Sequence, residues 1–62
     1  MKVKDIKLDR RTNNVVWIME YLEDGNVDIR EYDIKNIPQN ELEREVMDIC
    51  TEIDDSIDIY VV

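Results

Sequence analysis

The alternation of apolar and polar residues predicts three β-strands in the first part of the chain. Residues 2–9, "KVKDIKLD", place Ile6 and Leu8 between charged side chains, as in a half-exposed edge strand. Residues 15–22, "VVWIMEYL", are an almost unbroken run of β-branched and aromatic residues, which is the strongest strand signal in the sequence. A third strand is predicted over residues 26–34, "NVDIREYDI".

An Asp-Gly pair lies between the second and third predicted strands. It predicts a three-residue hairpin loop that ends at Gly25, which takes a positive φ. With that loop, Tyr21 lies opposite Val27 and Met19 lies opposite Ile29. One side of the sheet then carries Val15, Trp17, Met19, Tyr21, Val27 and Ile29. A slip of one residue would scatter these side chains over both sides, which favours this register.

Residues 40–54 carry an apolar stripe at helical spacing and predict an amphipathic helix ending at about Ile53 or Asp54. The stripe consists of Leu42, Val46, Ile49, Cys50 and Ile53. Pro38 fits a first helical turn, and Asn40 fits an N-cap with Glu43 as its capping-box partner. Asn36 is the alternative cap, for a slightly earlier start.

Residues 57–62, "IDIYVV", predict a final strand in which Ile57, Ile59 and Val61 point to one side. The predicted order β-β-β-α-β indicates a single α+β domain over residues 1–62, with a four-stranded mixed sheet and one helix on one face. A right-handed crossover would place the last strand parallel to the first, in the strand order 4-1-2-3. A turn over residues 10–14 would join the first two strands.

In this arrangement the helix covers the side of the sheet that carries Trp17, and the reverse side stays uncovered. The apolar residues of that reverse side are Val16, Ile18, Leu22, Tyr32 and Ile34. An exposed apolar face on a small protein often marks an interface, so these residues are predicted to contact a second copy or a partner. The alternative is that long neighbouring side chains fold their stems over them.

The composition is that of a folded domain, with 44% hydrophobic residues, one Gly and one Pro. No apolar run approaches the roughly 20 residues that span a bilayer, and the N-terminus lacks an apolar signal core. The sequence therefore predicts a cytoplasmic protein without a membrane contact. Cys50, the only cysteine, is predicted to be a buried, inert thiol on the apolar stripe.

The net charge of −8 arises from 8 basic and 16 acidic side chains and is unevenly distributed. Residues 1–11 hold five basic and two acidic side chains, a net charge of +3. Residues 35–62 hold two basic and eight acidic side chains, a net charge of −6. Such an acidic end repels nucleic acid and anionic membranes, and it attracts basic protein surfaces.

Most catalytic and cofactor sites are excluded by residue type. The chain has no His and only one Cys and one Gly, which removes triads, most zinc sites and glycine-rich phosphate loops. Asp54, Asp55 and Asp58 could offer oxygen ligands to Mg²⁺ or Ca²⁺, but a solvated acidic turn explains them better. The basic N-terminus has no interleaved aromatic residue for stacking nucleotides. The sequence predicts no enzyme, no cofactor, no metal and no direct nucleic-acid binding.

A second stripe on the predicted helix is acidic. Its members, together with the two acids that extend it, are Glu41, Glu45, Asp48, Glu52, Asp54, Asp55 and Asp58. Like charges four residues apart cost an isolated helix a few tenths of a kcal/mol per pair. Because the stripe is kept despite this cost, we expect it to recognise a basic groove on another protein. The alternative is a surface that only keeps the protein soluble.

In size, acidity and lack of catalytic residues, the chain resembles small inhibitors made by bacteriophages and mobile elements. These include anti-restriction, anti-CRISPR and DNA-glycosylase-inhibitor proteins. The resemblance implies a nucleic-acid mimic that binds a nucleic-acid-binding host protein. Its carboxylates would occupy the positions that the phosphates of the nucleic acid take. The expected function is an acidic protein-binding module, and the alternative is a homodimeric structural or accessory domain joined through the apolar sheet side.

Overall fold

A computed structural model describes residues 1–7, 15–54 and 56–62. Its regular elements are a 3-10 helix over Val3–Asp5, strands β1 (Val15–Tyr21) and β2 (Val27–Asp33), helix α1 (Gln39–Leu42), and strands β3 (Val46–Thr51) and β4 (Ile57–Val61). The strands form one sheet in the order β2-β1-β4-β3. β1 is antiparallel to β2 and parallel to β4, which is antiparallel to β3. An α+β fold with a four-stranded mixed sheet and one helix is therefore confirmed.

The β1–β2 hairpin has the register that its Asp-Gly loop predicts. Tyr21 pairs with Val27, and Met19 pairs with Ile29. Gly25 closes the loop with a φ of 88°, a left-handed conformation that favours glycine because it has no Cβ. The Gly25 N–H donates to the Leu22 carbonyl oxygen at 3.1 Å. This part of the fold follows from local turn chemistry.

The long helix predicted over residues 40–54 is wrong over most of its length. Helix α1 ends at Leu42, and the residues from Val46 onward form strand β3. β-Branched Val46, Ile49 and Thr51 favour a strand, and a continued helix would have stacked carboxylates four residues apart. α1 starts directly after an N-cap proline rather than behind the capping box predicted at Asn40.

The N-terminal residues also differ from the prediction, because residues 2–7 do not form a strand of the sheet. Val3–Asp5 is a 3-10 helix, and Lys2 makes a single antiparallel bridge to Glu45. The parallel neighbour of β4 is consequently β1, and the order of the described elements is β-β-α-β-β. The rest of the predicted first strand, the predicted turn over residues 10–14, and Asp55 lie outside the described residues.

The hydrophobic core lies on one side of the sheet, called the closed side below. Its sheet residues are Val16, Ile18, Ile57, Ile59 and Val61, all of them buried. Val3, Ile34 and the half-buried Ile6, Ile37 and Leu42 pack against them from the N-terminal segment, the end of β2 and α1. Ile57, Ile59 and Val61 share this side, as the alternation in the last strand predicts.

The predicted assignment of the two sides is therefore inverted. Val16, Ile18 and Ile34, expected to form an exposed interface, are buried, and Tyr32 packs against the same core. Leu22 alone of that set is exposed, at 41%. The physical reason is which elements cover the sheet. Because no long helix forms, the N-terminal segment and α1 provide the cover, and they pack on the side that carries the smaller aliphatic side chains.

An ion pair ties α1 to the closed side of the sheet. The Arg30 Nε donates to Glu41 Oε2 at 2.6 Å, and its Nη2 donates to Glu41 Oε1 at 3.0 Å. Arg30 also contacts the carboxylates of Asp28 and Glu20. Glu41 is only 1% exposed, and its hydrogen bonds raise the pKa of the Arg30 guanidinium. The pair neutralises a carboxylate that the fold buries.

Candidate functional site

The side of the sheet opposite the core is called the open side. Its strand residues are Val15, Trp17, Met19 and Tyr21 of β1, Val27, Ile29, Glu31 and Asp33 of β2, Asp48 and Cys50 of β3, and Asp58 and Tyr60 of β4. The 3-10 helix and α1 do not lie here, because their Val3 and Leu42 pack in the core. The side predicted to be covered by a helix is thus the open one.

The centre of the open side is apolar and aromatic. Met19 of β1 pairs with Ile29 on one neighbouring strand and with Tyr60 on the other. The Tyr21 and Tyr60 rings stack with their centroids 5.9 Å apart and an interplanar angle of 18°. Ile29 is 54% exposed and Tyr21 is 58% exposed. Contiguous apolar patches of this kind mark interaction surfaces, and tyrosine is a frequent anchor in them.

Apart from the apolar and aromatic residues and Cys50, the open-side positions of the described strands hold carboxylates and no cations. Glu31 and Asp33 lie on β2, Asp48 lies on β3, and Asp58 lies on β4. Arg30, the only Lys or Arg within these four strands, points to the closed side, where it binds Glu41. The apolar centre therefore has a negatively charged rim.

The acidic helix face predicted from the sequence is not formed. Glu41 is buried against Arg30, and the Glu45 carboxylate lies 3.3 Å from the N-terminal ammonium group. Asp48 and Asp58 lie on two different strands of the sheet. Glu52 and Asp54 lie in the turn that joins those strands, and Asp55 falls outside the described residues. A sheet separates residues that a helix would have aligned.

The β3–β4 turn borders a shallow concavity of about 550 Å³ on the open side. Its lining residues are Trp17, Met19, Ile29, Glu52, Ile53, Asp54, Ser56 and Asp58. The turn is held by the Glu52 N–H, which donates to the Ser56 carbonyl at 2.9 Å. The Ser56 hydroxyl donates to Asp54 Oδ1 at 2.7 Å and lowers the pKa of Asp54. The concavity combines apolar walls with three carboxyl groups.

Two of these carboxyl groups interact directly. Asp58 is 8% exposed and lies between Trp17 of β1 and Cys50 of β3. A side-chain hydrogen bond to Asp58 and the charge of Asp58 raise the pKa of Glu52, and Asp54 adds to the effect. Among the described residues, no Lys or Arg pairs with either carboxyl group. The buried Asp58 thus has another acid as its polar neighbour.

This pair predicts a pH-dependent effect of Glu52→Gln on stability. The folded chain holds the Glu52 proton more tightly than the unfolded chain, so the repulsion with Asp58 costs stability once the pH rises above the folded pKa of Glu52. Glu52→Gln is expected to raise the thermal unfolding midpoint at pH 7 and to leave it unchanged below the ordinary carboxyl range. The matched control is Glu23→Gln in the β1–β2 loop. An equal rise for both variants at pH 7 would show that only net charge matters.

Cys50 is exposed, which corrects the prediction of a buried thiol. In β3 its neighbour Ile49 takes the core-facing position and pairs with Ile59, so Cys50 faces the open side. Sequence reasoning also misses Trp17, Tyr21 and Ile29 as candidate contact residues, because the pattern predicts that they lie in the core. The available signal was that both sides of β1 are apolar, so one side had to remain uncovered.

Neither a metal site nor a membrane-crossing helix is found in residues 1–7, 15–54 and 56–62. No group of three or more His, Cys, Asp or Glu side chains there has an arrangement that could hold a metal ion. No helix among these residues has the length and apolar character that crossing a bilayer requires. Comparisons with protein-family models, curated proteins and solved structures found no match to this chain.

Proposed function

We propose that the protein is a non-enzymatic binding module that docks its open side on a basic surface of another protein. One observation carries the proposal: an exposed aromatic and aliphatic centre lies inside a rim with carboxylates and, in the described strands, no Lys or Arg. Burial of the centre would supply affinity. The rim and the net charge of −8 would attract a basic partner and select against acidic ones.

The second candidate is a homodimer formed through the same apolar centre. Two copies stacked on their open sides would bring two negatively charged rims together, which costs free energy. The two candidates predict opposite effects of salt. Screening weakens docking on a basic partner, whereas it relieves the repulsion between two copies. Sedimentation at low and at 1 M salt distinguishes them, and we expect a monomer under both conditions.

The proposal retains the functional class suggested by size and acidity, a small inhibitor of the kind that bacteriophages and mobile elements make. It moves the contact from a helix to the sheet. Mimicry of a nucleic-acid strand required carboxylates spaced regularly along one helix, and strand β3 replaces that helix. The proposed partner is therefore defined by a basic rim around an apolar centre, and a nucleic-acid-binding host protein would fit that description.

The test compares substitutions of two exposed apolar residues, one on the open side of the sheet and one beside the hairpin loop. Partners captured from a lysate at low salt are purified, and their affinity is measured for the unchanged protein, Ile29→Ser and Leu22→Ser. Ile29→Ser removes an apolar side chain from the centre and is expected to weaken binding at least about tenfold. Leu22→Ser changes an exposed residue next to the hairpin loop, outside the open side, and should leave the affinity unchanged.

Two outcomes would contradict the proposal. The first is equal weakening by the two substitutions, which would show that the contact is not specific to the open side. The second is an affinity that does not change between low and high salt, since a negatively charged rim on a basic surface must be screened.

A further inference from the structure

We propose that the concavity beside the β3–β4 turn receives an arginine side chain of the partner protein. This inference rests on the proposed function and names the group that the open side recognises. It is carried by the burial of Asp58, by the carboxyl group beside it, and by the apolar walls of the concavity.

The Asp58 carboxyl group is the first part of the argument. A buried carboxylate is costly unless a cation or several hydrogen-bond donors compensate for it. The fold meets this requirement for its other buried acid, since Glu41 has a bidentate contact with Arg30. At Asp58 the described residues provide no cation, and the neighbouring group is the acid Glu52. The group that would compensate for Asp58 is therefore a cation, which the described residues do not provide and a basic partner would.

The walls of the concavity determine which cation fits. Trp17, Met19 and Ile29 line it together with the fully exposed Ile53 of the turn. Apolar walls suit the aliphatic stem of a long basic side chain, and a guanidinium group can stack on an indole ring. A hydrated metal ion would gain nothing from these walls, and the described residues offer no ligand set for one. The chemistry favours an organic cation.

Size and hydrogen-bonding geometry favour arginine over lysine. The volume of about 550 Å³ lies within the usual range of roughly 300–1,000 Å³ for ligand pockets and can hold one side chain with its flanking backbone. A guanidinium group presents its donors in a planar fork that can contact two carboxyl oxygens at once. Asp58 is buried and Glu52 is exposed, so their carboxyl oxygens can accept hydrogen bonds from the guanidinium group at different depths of the concavity.

Trp17 makes the test specific, because it is the only tryptophan in the chain. The full ¹⁵N-labelled chain is titrated with acetyl-Gly-Gly-Arg-Gly-Gly-amide while the Trp17 indole N–H signal is followed by NMR. The control peptide has citrulline, a neutral group of the same shape, in place of arginine. We expect a saturable shift with a Kd on the order of 1 mM for the arginine peptide. The citrulline peptide should bind at least about tenfold more weakly.

Two variants test the role of the carboxyl groups. Asp58→Asn is expected to abolish the saturable shift. Because Asp58 is buried, Glu52→Gln provides a second variant at an exposed position, and it should weaken the arginine peptide severalfold. Glu23→Gln in the distant hairpin loop should leave the titration unchanged. Equal shifts with both peptides, or unchanged binding in both Asp58→Asn and Glu52→Gln, would overturn the arginine site.

The same variants separate this inference from the proposed function when they are measured with the purified partner. If Ile29→Ser loses the partner while Asp58→Asn retains full affinity, docking on the open side stands and the arginine site is wrong. If Ile29→Ser retains full affinity, the proposed function itself is wrong, whatever the peptide titration shows.

Discussion

Arg30→Met is expected to destabilise the domain by about 3–5 kcal/mol, because it leaves a buried carboxylate without its cation. Glu41 is 1% exposed. Among the described residues, both nitrogen atoms that donate hydrogen bonds to its carboxylate belong to Arg30. A domain of this length has a free energy of unfolding of roughly 3–9 kcal/mol, so the variant should lose at least about a third of its stability. Urea titration followed by Trp17 fluorescence measures the change.

The control for this prediction removes both charges. In Arg30→Met with Glu41→Leu, the site becomes apolar and no buried charge is left unpaired, so most of the lost stability should return. Glu41→Leu alone should cost less than Arg30→Met, because Arg30 keeps Asp28 and Glu20 as partners. A cost of less than about 1 kcal/mol for Arg30→Met would place Glu41 in solvent and contradict the described packing of α1.

Ile18→Ala is expected to cost about 2–5 kcal/mol, whereas Ile29→Ala should cost about 1 kcal/mol or less. The two substitutions remove the same atoms from neighbouring strands of one sheet. Ile18 is fully buried on the closed side, and its loss leaves a cavity in the core. Ile29 is 54% exposed on the open side, so water replaces most of what is removed. Urea unfolding of the two variants under identical conditions gives the comparison.

This pair of variants decides which side of the sheet is covered. The sequence pattern alone predicted that Ile29 lies under a helix and that Ile18 is exposed. A larger loss for Ile29→Ala than for Ile18→Ala would restore that arrangement. It would also remove the surface on which the proposed function depends.

The hairpin could be predicted because its determinants are local. Asp24 and Gly25 define the loop, and the loop fixes the pairing of every residue in β1 and β2. The alternation in "IDIYVV" likewise identified β4 and the side to which Ile57, Ile59 and Val61 point. Neither inference required knowledge of distant parts of the chain.

The end of the helix could not be placed by periodicity, because residues 46–51 fit both a helix and a strand. Their apolar residues recur at helical spacing, and Ile49 and Thr51 also alternate with Asp48 and Cys50. Two factors favour the strand: carboxylates four residues apart repel each other in a helix, and β-branched side chains are favoured in strands. The unfavourable acidic stripe was itself evidence against the helix.

The sides of the sheet were inverted for a related reason. Strand β1 has apolar residues on both sides, so its own pattern does not say which side is covered. That choice depends on the length of α1 and on where Val3 packs, which are tertiary features. The places of the acidic residues depend on the same features: Glu41 is a structural ion-pair partner, whereas Asp58 lines a concavity on the open side.

Alkylation of Cys50 tests most directly whether the open side is exposed and used for docking. Cys50 is the only cysteine in the chain, and it is exposed next to Asp58 on that side. The free native protein should react with iodoacetamide at a rate comparable with that of the urea-unfolded chain, and a saturating purified partner should slow the reaction strongly. Slow reaction of the free protein would contradict the exposed side, and an unchanged rate in the complex would contradict docking through it.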